Sequence, residues 1–363
     1  MEYTQLNRVY LSSNVLVQAR KRISMVFDNF DKIVVSISSG KDSTALFWLA
    51  VQEADKRKRR IKAFFLDQEA EYKSSIDLIE KMMSCSSVEP TWFQVPINLT
   101  NTTSYSQEMF CCWEKGKEWI REKNNLAIQD VVNKYPDRFY GFFKWFEREN
   151  PDTAFMIGLR AEESLNRQKA VMLNPGWSDI RWSTKTDSKN TYRFYPIYDW
   201  GMGDVWKFIN DFKLPYNLIY DKMYQAKKNY YKTMRVSNLI HEKSFKCLSD
   251  LQMYEPETFD RLIKRIPGAH VASIYSREKT VFDNAVLPEK FQTWKDFRDH
   301  LFNTIPLKNR ERFKKLFSNQ LEEENMYKKQ VRQLQLNDYE NNLAVKAKKE
   351  DKEGLYTKWW NIL

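Results

Sequence analysis

Apolar residues recur at helical spacing across residues 12 to 29, where Val15, Leu16, Ala19, Ile23, Val26 and Phe27 share one face. A helix therefore opens the fold, with Ser12 or Ser13 available as its N-cap. The period then shortens. Lys32 to Ile37 is a β-branched run suited to a buried strand, followed by a Ser/Gly turn and a second helical pattern from Ser43 to about Asp55. The alternation returns with the strand Ile61 to Leu66, the helix Ser74 to Met83, the strand Thr91 to Val95 and later the strand Ala154 to Leu159. This order predicts an α/β fold built on an open, mostly parallel sheet with helices on both faces.

Between about Leu99 and Asn150 the pattern turns aromatic and helical, as in Trp113 to Arg121 and Tyr140 to Glu149, and predicts a helical insertion before the fourth strand. Beyond about Arg235 the strand signals fade, and Asn309 to Gln335 reads as one charged amphipathic helix. The expected organisation is a domain over residues 1–235, with its insertion at about 100–150, and a mainly helical C-terminal extension over 236–363. Ala344 to Glu353, rich in Lys and Glu, reads as a solvated helix or a mobile segment. Trp359 to Leu363 offers an apolar end able to dock on the body or on a partner.

A chain of 363 residues can bury one large core or two modest ones. Cys85, Cys111, Cys112 and Cys247 form no CxxC pair, which fits a reducing compartment and points to the cytoplasm. No apolar stretch approaches the roughly 20 residues that span a bilayer, and the first residues lack a signal-peptide layout, so no membrane association is expected. The net charge of +11 and pI near 9.2 suit a polyanionic partner such as DNA or RNA. The densest run, Lys56-Arg57-Lys58-Arg59-Arg60, joins a helix to a strand and reads as a solvated connection before a nucleic-acid contact. Phe142, Phe143, Trp145 and Phe146 fall at helical spacing and are read as core. His241, His270 and His300, without an HExxH pair, give little support to a zinc site or a Ser/His/Asp triad.

The chain has only nine glycines, so one placed between a β-run and a helix and flanked by serines marks a special turn. In Ser36-Ile37-Ser38-Ser39-Gly40-Lys41-Asp42-Ser43-Thr44, such a turn aims backbone N–H groups and a helix N-terminus at one point, a geometry that binds phosphate. Ser36, Ser38, Ser39 and Ser43 add hydroxyls and Lys41 adds charge, while Asp42 makes sense beside a phosphate if it holds Mg²⁺ or orients the loop. A Walker A loop needs glycine where Val35 stands and Ser or Thr where Asp42 stands, so that motif is excluded. The plain alternative is a helix capped by Ser38 or Ser39 with no ligand.

These residues resemble the pyrophosphate-loop ATPases, and within them the phosphoadenosine phosphosulfate (PAPS) reductase-like branch, whose loop reads Ser-Gly-Gly-Lys-Asp-Ser. Ser39 replaces one glycine and fits the loop if its φ is negative. Asp67-Gln68-Glu69 resembles the family's acidic segment at a strand's carboxyl end, with a plain acidic turn as the alternative. Gly158-Leu159-Arg160, followed by Glu163-Ser164 and Arg167, resembles the family's Gly-x-Arg, Glu-Ser and later Arg. Gly158 lets a nucleotide or a backbone pass close, and the Arg160 fork suits phosphate or sulfate. Arg167 shares a face with Arg160 if a helix begins there, and Glu163 is placed to orient either arginine; surface ion pairing is the alternative.

The segments Tyr195 to Trp200 and Gly203 to Trp206 are similar to the branch's Pro-x-x-Asp-Trp and Asp-Val-Trp. Asp199 or Asp204 there is most simply a helix cap, with Trp206 and Ile209 on the buried side. Leu214-Pro215-Tyr216-Asn217 and Asp221 continue the likeness, which spans about residues 15 to 235. Met234 to Ser237 and Ile266 to His270 look like the C-terminal extension of a phage- and bacteria-borne subgroup related to the immunoglobulin-binding regulator. That resemblance implies a ParB-like protein as partner.

The resemblance implies an adenine nucleotide alpha hydrolase-like fold and an enzyme that binds ATP with Mg²⁺, directs a nucleophile at the α-phosphate and releases pyrophosphate. Lys41 and Arg160 would stabilise developing charge, Asp42 with Asp67 or Glu69 would carry the metal, and backbone amides from Ser39 to Thr44 would hold pyrophosphate. A nucleic acid modified or thiolated after adenylation suits the charge. The alternatives are a PAPS-binding enzyme or carrier and a nucleotide-sensing regulator that engages DNA or a protein. PAPS reduction itself is disfavoured, because the family's Glu-Cys-Gly-x-His motif is missing and Cys247 lies in Lys246-Cys247-Leu248. With Cys111 and Cys112 adjacent, incidental thiols are favoured over an iron–sulfur cluster.

Overall fold

The computed structural model describes residues 12–163, 167, 168, 171, 176–226, 234, 236–240, 247–275 and 286–343. Ser164 to Asn166, Arg235, His241, residues 344–353 and the end from Trp359 to Leu363 lie outside them. Helix α1 (Val15–Asn29) buries Ala19, Ile23, Val26 and Phe27, the expected face. Its N-cap is Asn14 rather than Ser12 or Ser13, with the Asn14 Oδ1 accepting the Leu16 amide at 2.8 Å. Ser13 Oγ instead accepts from Gln18 Nε2.

The chain then alternates through β1 (Lys32–Ser36), α2 (Lys41–Arg57), β2 (Ile61–Leu66), α3 (Lys73–Met83) and β3 (Val88–Phe93). After the ribbon strands β4 (Ile97–Thr100) and β5 (Met109–Cys112) come α4 (Phe139–Glu149), β6 (Thr153–Ile157), β7 (Ser183–Lys185) and β8 (Tyr192–Phe194). The main sheet has six strands in the order β3-β2-β1-β6-β8-β7. All its pairings are parallel except that of the edge strand β7 with β8. Val35 pairs with Ala63 and Met156, which fixes the register at the centre.

Period-two alternation sends these strands' side chains to two different layers. Ile33, Val35, Ile37, Ala63, Phe65, Ala154 and Met156 join the core shared with α1, α2, α3 and the later helix α5 (Met202–Asp211). The opposite face presents Phe64, Phe93 and Phe155 to α4, where Phe146 stacks on Phe64 with ring centroids 4.6 Å apart. Of the α4 aromatics read as core, Phe142 and Phe146 are buried and Phe143 and Trp145 half-buried.

The basic run at residues 56–60 is not simply solvated. Arg57 pairs with Asp28 and Glu53, Arg59 donates to the carbonyls of Phe27, Phe30 and Asp31, and Arg60 donates to that of Val88. Arg57 and Arg59 tie the helix–strand junction to the end of α1, and Arg60 ties it to the start of β3.

The insertion is helical only at α4. Trp113 to Arg121 forms turns and bends, because the Trp113 backbone is left-handed (φ 54°). The Trp113 amide is also taken by Glu69 Oε2 at 2.6 Å. Just before it, β5 alternates its side chains, burying Phe110 and Cys112. The expected single helix from Asn309 to Gln335 is two, α11 (Leu307–Phe317) and α12 (Glu324–Gln335).

Two compact units result. The first is built from residues up to Ile97, Trp113–Lys115 and Glu122–Ser237; the second from Asn98–Cys112, Gly116–Arg121 and the chain from Asn238 on. In the second unit Asn337 Nδ2 donates to the carbonyls of Asn101 and Ser104, which fastens the ribbon segment to the helical extension. Helices α7 (Leu248–Tyr254), α8 (Pro256–Arg265), α9 (Ala269–Tyr275) and α10 (Trp294–Thr304) complete it.

Glu108, the residue before β5, meets Lys308 at 2.6 Å and Arg312 at 2.7 Å on α11. Burial pushes its carboxyl up, but the two cations together outweigh that and hold it below the ordinary range. Its contribution to stability is full above the unfolded glutamate value of about 4.3 and is lost as pH falls through the lower folded value. Thermal unfolding of the protein between about pH 5 and pH 3 should therefore be less pH-dependent in Glu108→Gln. Parallel curves would remove this assignment.

Among the described residues no helix is long and apolar enough to cross a membrane.

Candidate functional site

Strand β1 sits between β2 and β6, so the chain leaves it to one side and returns later on the other. Open α/β sheets bind ligands at such a switch point, outside the strands' carboxyl ends. The turn Ile37 to Gly40 lies there and leads into α2, a helix of 17 residues. The amides of Ser39, Gly40, Asp42 and Ser43 donate to no group among the described residues, while Thr44 N–H already reaches the Gly40 carbonyl at 2.9 Å. Ser43 Oγ braces the turn, accepting the Ser38 amide at 3.2 Å and donating to the Gly40 carbonyl at 3.0 Å. Ser36 ends β1 beneath it.

The departure from the family's double glycine falls on Ser39, whose φ is 54° and not negative as expected. Gly40 is extended (φ −69°), and a Cβ there would meet Ser38 Oγ at an ordinary 3.4 Å. The left-handed residue is thus the serine, at a steric disadvantage of about 1 kcal/mol. Ser39→Gly should raise the unfolding free energy by several tenths to about 1 kcal/mol in urea titration. A loss would mean that the contact of Ser39 Oγ with Asn217 Nδ2, 3.4 Å, outweighs the strain.

Lys41, Asp42 and Arg160 come together as one buried group. Arg160 Nε donates to Asp42 Oδ1 at 2.6 Å, and Lys41 Nζ to Asp42 Oδ2 at 3.2 Å. Arg160 is only 2% exposed, and its Nη1 donates to Glu162 Oε2 at 2.8 Å and to the Trp200 carbonyl at 3.4 Å. Two cations face two carboxylates, so the group is electrically balanced. Gly158 serves a backbone rather than a nucleotide: a Cβ there would lie 2.8 Å from the Ser43 Cα and amide nitrogen. The start of α2 therefore rests directly on the chain leaving β6.

Asp67 and Glu69 are wholly buried. Asp67 Oδ1 accepts the Glu69 amide, and its Oδ2 accepts Trp92 Nε1 and Gln94 Nε2, both at 2.9 Å. Glu69 is bonded to the Trp113 amide. These acids fix the loop after β2.

The expected magnesium ligands do not fit that role. Both oxygens of Asp42 and of Asp67 accept N–H donors, and two of those donors are cations. Among the described residues no three His, Cys, Asp or Glu side chains converge on a point that could hold a metal ion.

Arg167 is brought to Glu163, while the acidic partners of Arg160 are Asp42 and Glu162. Asp199 is no cap but a bidentate partner of Arg22 on α1, with both contacts at 2.7 Å. Asp204 does cap α5, accepting the Gly201 amide at 2.7 Å. Ile209 is buried and Trp206 half-buried.

Three residues with no assigned role prove close to the turn: Glu162, Asn217 and Tyr220. Asn217 Nδ2 donates to Ser75 Oγ at 2.9 Å as well as approaching Ser39. Tyr220, on α6 (Ile219–Gln225), accepts the Lys41 amide at 3.1 Å. Asn217 lay within the Leu-Pro-Tyr-Asn likeness, a signal without a role; Tyr220 carried none.

Residues 32–226, just over half the chain, match the phosphoadenosine phosphosulfate reductase domain. The chain belongs to this family. It is a family of nucleotide-binding enzymes. Residues 230–323 match a domain of unknown function (DUF3440). The chain is 28% identical over 328 residues to the uncharacterized protein YbdN of Escherichia coli strain K12, covering 85% of this chain and 79% of that protein. It is 24% identical over 195 residues to the adenosine 5'-phosphosulfate reductase of Oceanobacillus iheyensis, covering 53% of this chain and 68% of the reductase.

Among solved structures, the FMN adenylyltransferase of Candida glabrata with FAD and inorganic pyrophosphate is similar over 60% of this chain and 66% of its own, with 16% identity and a TM-score of 0.36. The phosphoadenylyl-sulfate reductase of Candida auris in a phosphate complex is similar over 60% and 94%, with 14% identity and a TM-score of 0.30.

Proposed function

We propose that the reductase domain holds the terminal pyrophosphate of ATP in the turn after β1 and transfers the adenylyl group to a second substrate. The observation that carries this reading is the set of amides at Ser39, Gly40, Asp42 and Ser43 that donate to no group among the described residues, gathered at the N-terminus of α2. Oriented amides and a helix end favour an anion without rearranging when charge shifts onto it. A nucleophilic oxygen attacks the α-phosphorus, the bond to the bridging oxygen of the β-phosphate breaks, and pyrophosphate leaves into the turn. The nucleophile's proton passes to solvent.

Lys41 supplies charge to the leaving group. Arg160 acts through Asp42 by holding the start of α2, and Gly158 sets the distance at which it rests. Arg167 and Glu163, at 45% and 17% side-chain exposure, form a second charged pair a few residues after Arg160 in the chain. The net charge of +11 favours a nucleic acid as second substrate.

The family match and the adenosine 5'-phosphosulfate reductase relative favour a second reading, in which the same turn binds a sulfonucleotide such as PAPS. Equilibrium titration with ATP and PAPS separates the two, followed by a pyrophosphate-release assay on ATP with DNA or RNA present. Preference for ATP with release supports adenylyl transfer. Preference for PAPS supports the second reading, and uptake of neither defeats both. ATP uptake without release in either nucleic acid points to a nucleotide-sensing regulator.

A further inference from the structure

The amide of Lys41 is the first of α2 and points out of the helix end, where an anion would be received. It is already engaged. Tyr220 Oη, 179 residues on, accepts it at 3.1 Å. The phenol is 2% exposed, and its ring stands edge-on to Trp206 with centroids 5.1 Å apart.

The segment leading to Tyr220 is tied at two points. Trp48 Nε1, on α2, donates to the Pro215 carbonyl at 2.9 Å, and Asn217 reaches Ser39 and Ser75. Burial drives the phenol far above its ordinary range and the charge of Asp42 adds to this, against the opposing Lys41 amide and Arg160. The group therefore stays a neutral hydroxyl. It takes the place at the helix end that an anion oxygen would take, and brings no charge.

Resting on the reading of the turn as a pyrophosphate site, we propose that the Tyr220 hydroxyl is an internal competitor for the phosphate subsite. It caps the Lys41 amide when no anion is bound and yields that amide to a phosphate oxygen when one arrives. The hydroxyl then stabilises the free protein and weakens anion binding, since whatever it adds to the ligand-free state must be undone on binding. A Tyr220 that merely packs beside the turn has the other sign: removing its hydroxyl loosens the site and lowers affinity. So does a Tyr220 that donates to the bound phosphate.

The test is calorimetric titration of inorganic pyrophosphate into the full-length wild type and Tyr220→Phe, with thermal unfolding of each. The expected result is a lower melting temperature in the variant together with pyrophosphate binding tighter by roughly tenfold, as the ligand no longer has to displace the hydroxyl. Unchanged or weaker binding overturns the proposal. Should the variant be too unstable to purify folded, refolding with and without pyrophosphate decides: recovery by the anion supports competition, and its failure overturns it. If the wild type takes up neither pyrophosphate nor ATP, the reading of the turn falls first and this inference with it.

Discussion

Replacing Asp42 with alanine is expected to lower the unfolding free energy by about 3–5 kcal/mol, the range for breaking a buried ion pair by removing one partner. The carboxylate accepts from Arg160 at 2.6 Å and from Lys41 at 3.2 Å, so alanine takes away the negative charge that faces both buried cations, and Arg160 keeps Glu162 and the Trp200 carbonyl. Arg160 cannot turn to water from a position that is 2% exposed. Denaturant titration should show a lower midpoint with an unchanged slope, the mark of lost stability without a change in the unfolded chain's exposure. The double variant Asp42→Ala with Arg160→Met should recover part of the loss, because the two changes act on one interaction and do not add.

The same experiment separates an ion-pair role from metal ligation. A carboxylate held ready for a cation is destabilising when the cation is withheld, so its removal in metal-free buffer would raise stability. An effect within about 0.5 kcal/mol of zero, the range of ordinary surface substitutions, would remove Asp42 from the structural role assigned here.

The layout of the sheet was legible because its strands are short apolar runs between strong turn and helix signals. Ile61 to Leu66 is found as read, and Lys32 to Ile37 shortens by one residue. The third strand starts at Val88, three residues before the expected Thr91, and takes in Pro90, which is tolerated because β3 is at the sheet's edge. The insertion misled for another reason: Trp113 and its aromatic neighbours carry apolar spacing suited to a helix. What overrides it is a polar demand from elsewhere, the carboxylate of Glu69 drawing the Trp113 amide.

The Ser/Gly turn between β1 and α2 was equally plain, but the contacts of the nearby acids were not. Sequence shows that Asp42 and Asp67 are carboxylates near the right strand ends. It does not show that Arg160, 118 residues later, and Trp92 and Gln94 satisfy their oxygens. Tyr220 is the extreme case, because a tyrosine on a short helix has no local pattern that ties it to an amide so distant along the chain.

Gly158→Ala is expected to weaken ATP and pyrophosphate binding at least about tenfold and to cost roughly 1–3 kcal/mol of stability from overpacking. The added Cβ would lie 2.8 Å from both the Ser43 amide nitrogen and Cα, and 2.9 Å from the Asp42 carbonyl carbon. These are backbone atoms at the first turn of a helix, so no flexible side chain can swing aside, and α2 itself must lift from the end of β6. Ser43 contributes one of the free amides, and Asp42 holds Arg160 two residues beyond Gly158. A shift of a few tenths of an ångström therefore disturbs the cradle and its brace together.

Gly203→Ala is the matched control. A Cβ there meets nothing within 4 Å, and the residue lies inside α5, where alanine is favoured over glycine by up to about 1 kcal/mol. The two substitutions should move the melting temperature in opposite directions, and only Gly158→Ala should reduce nucleotide affinity. If Gly158→Ala binds pyrophosphate as the wild type does, the contact of α2 with the Gly158 backbone does not position the turn.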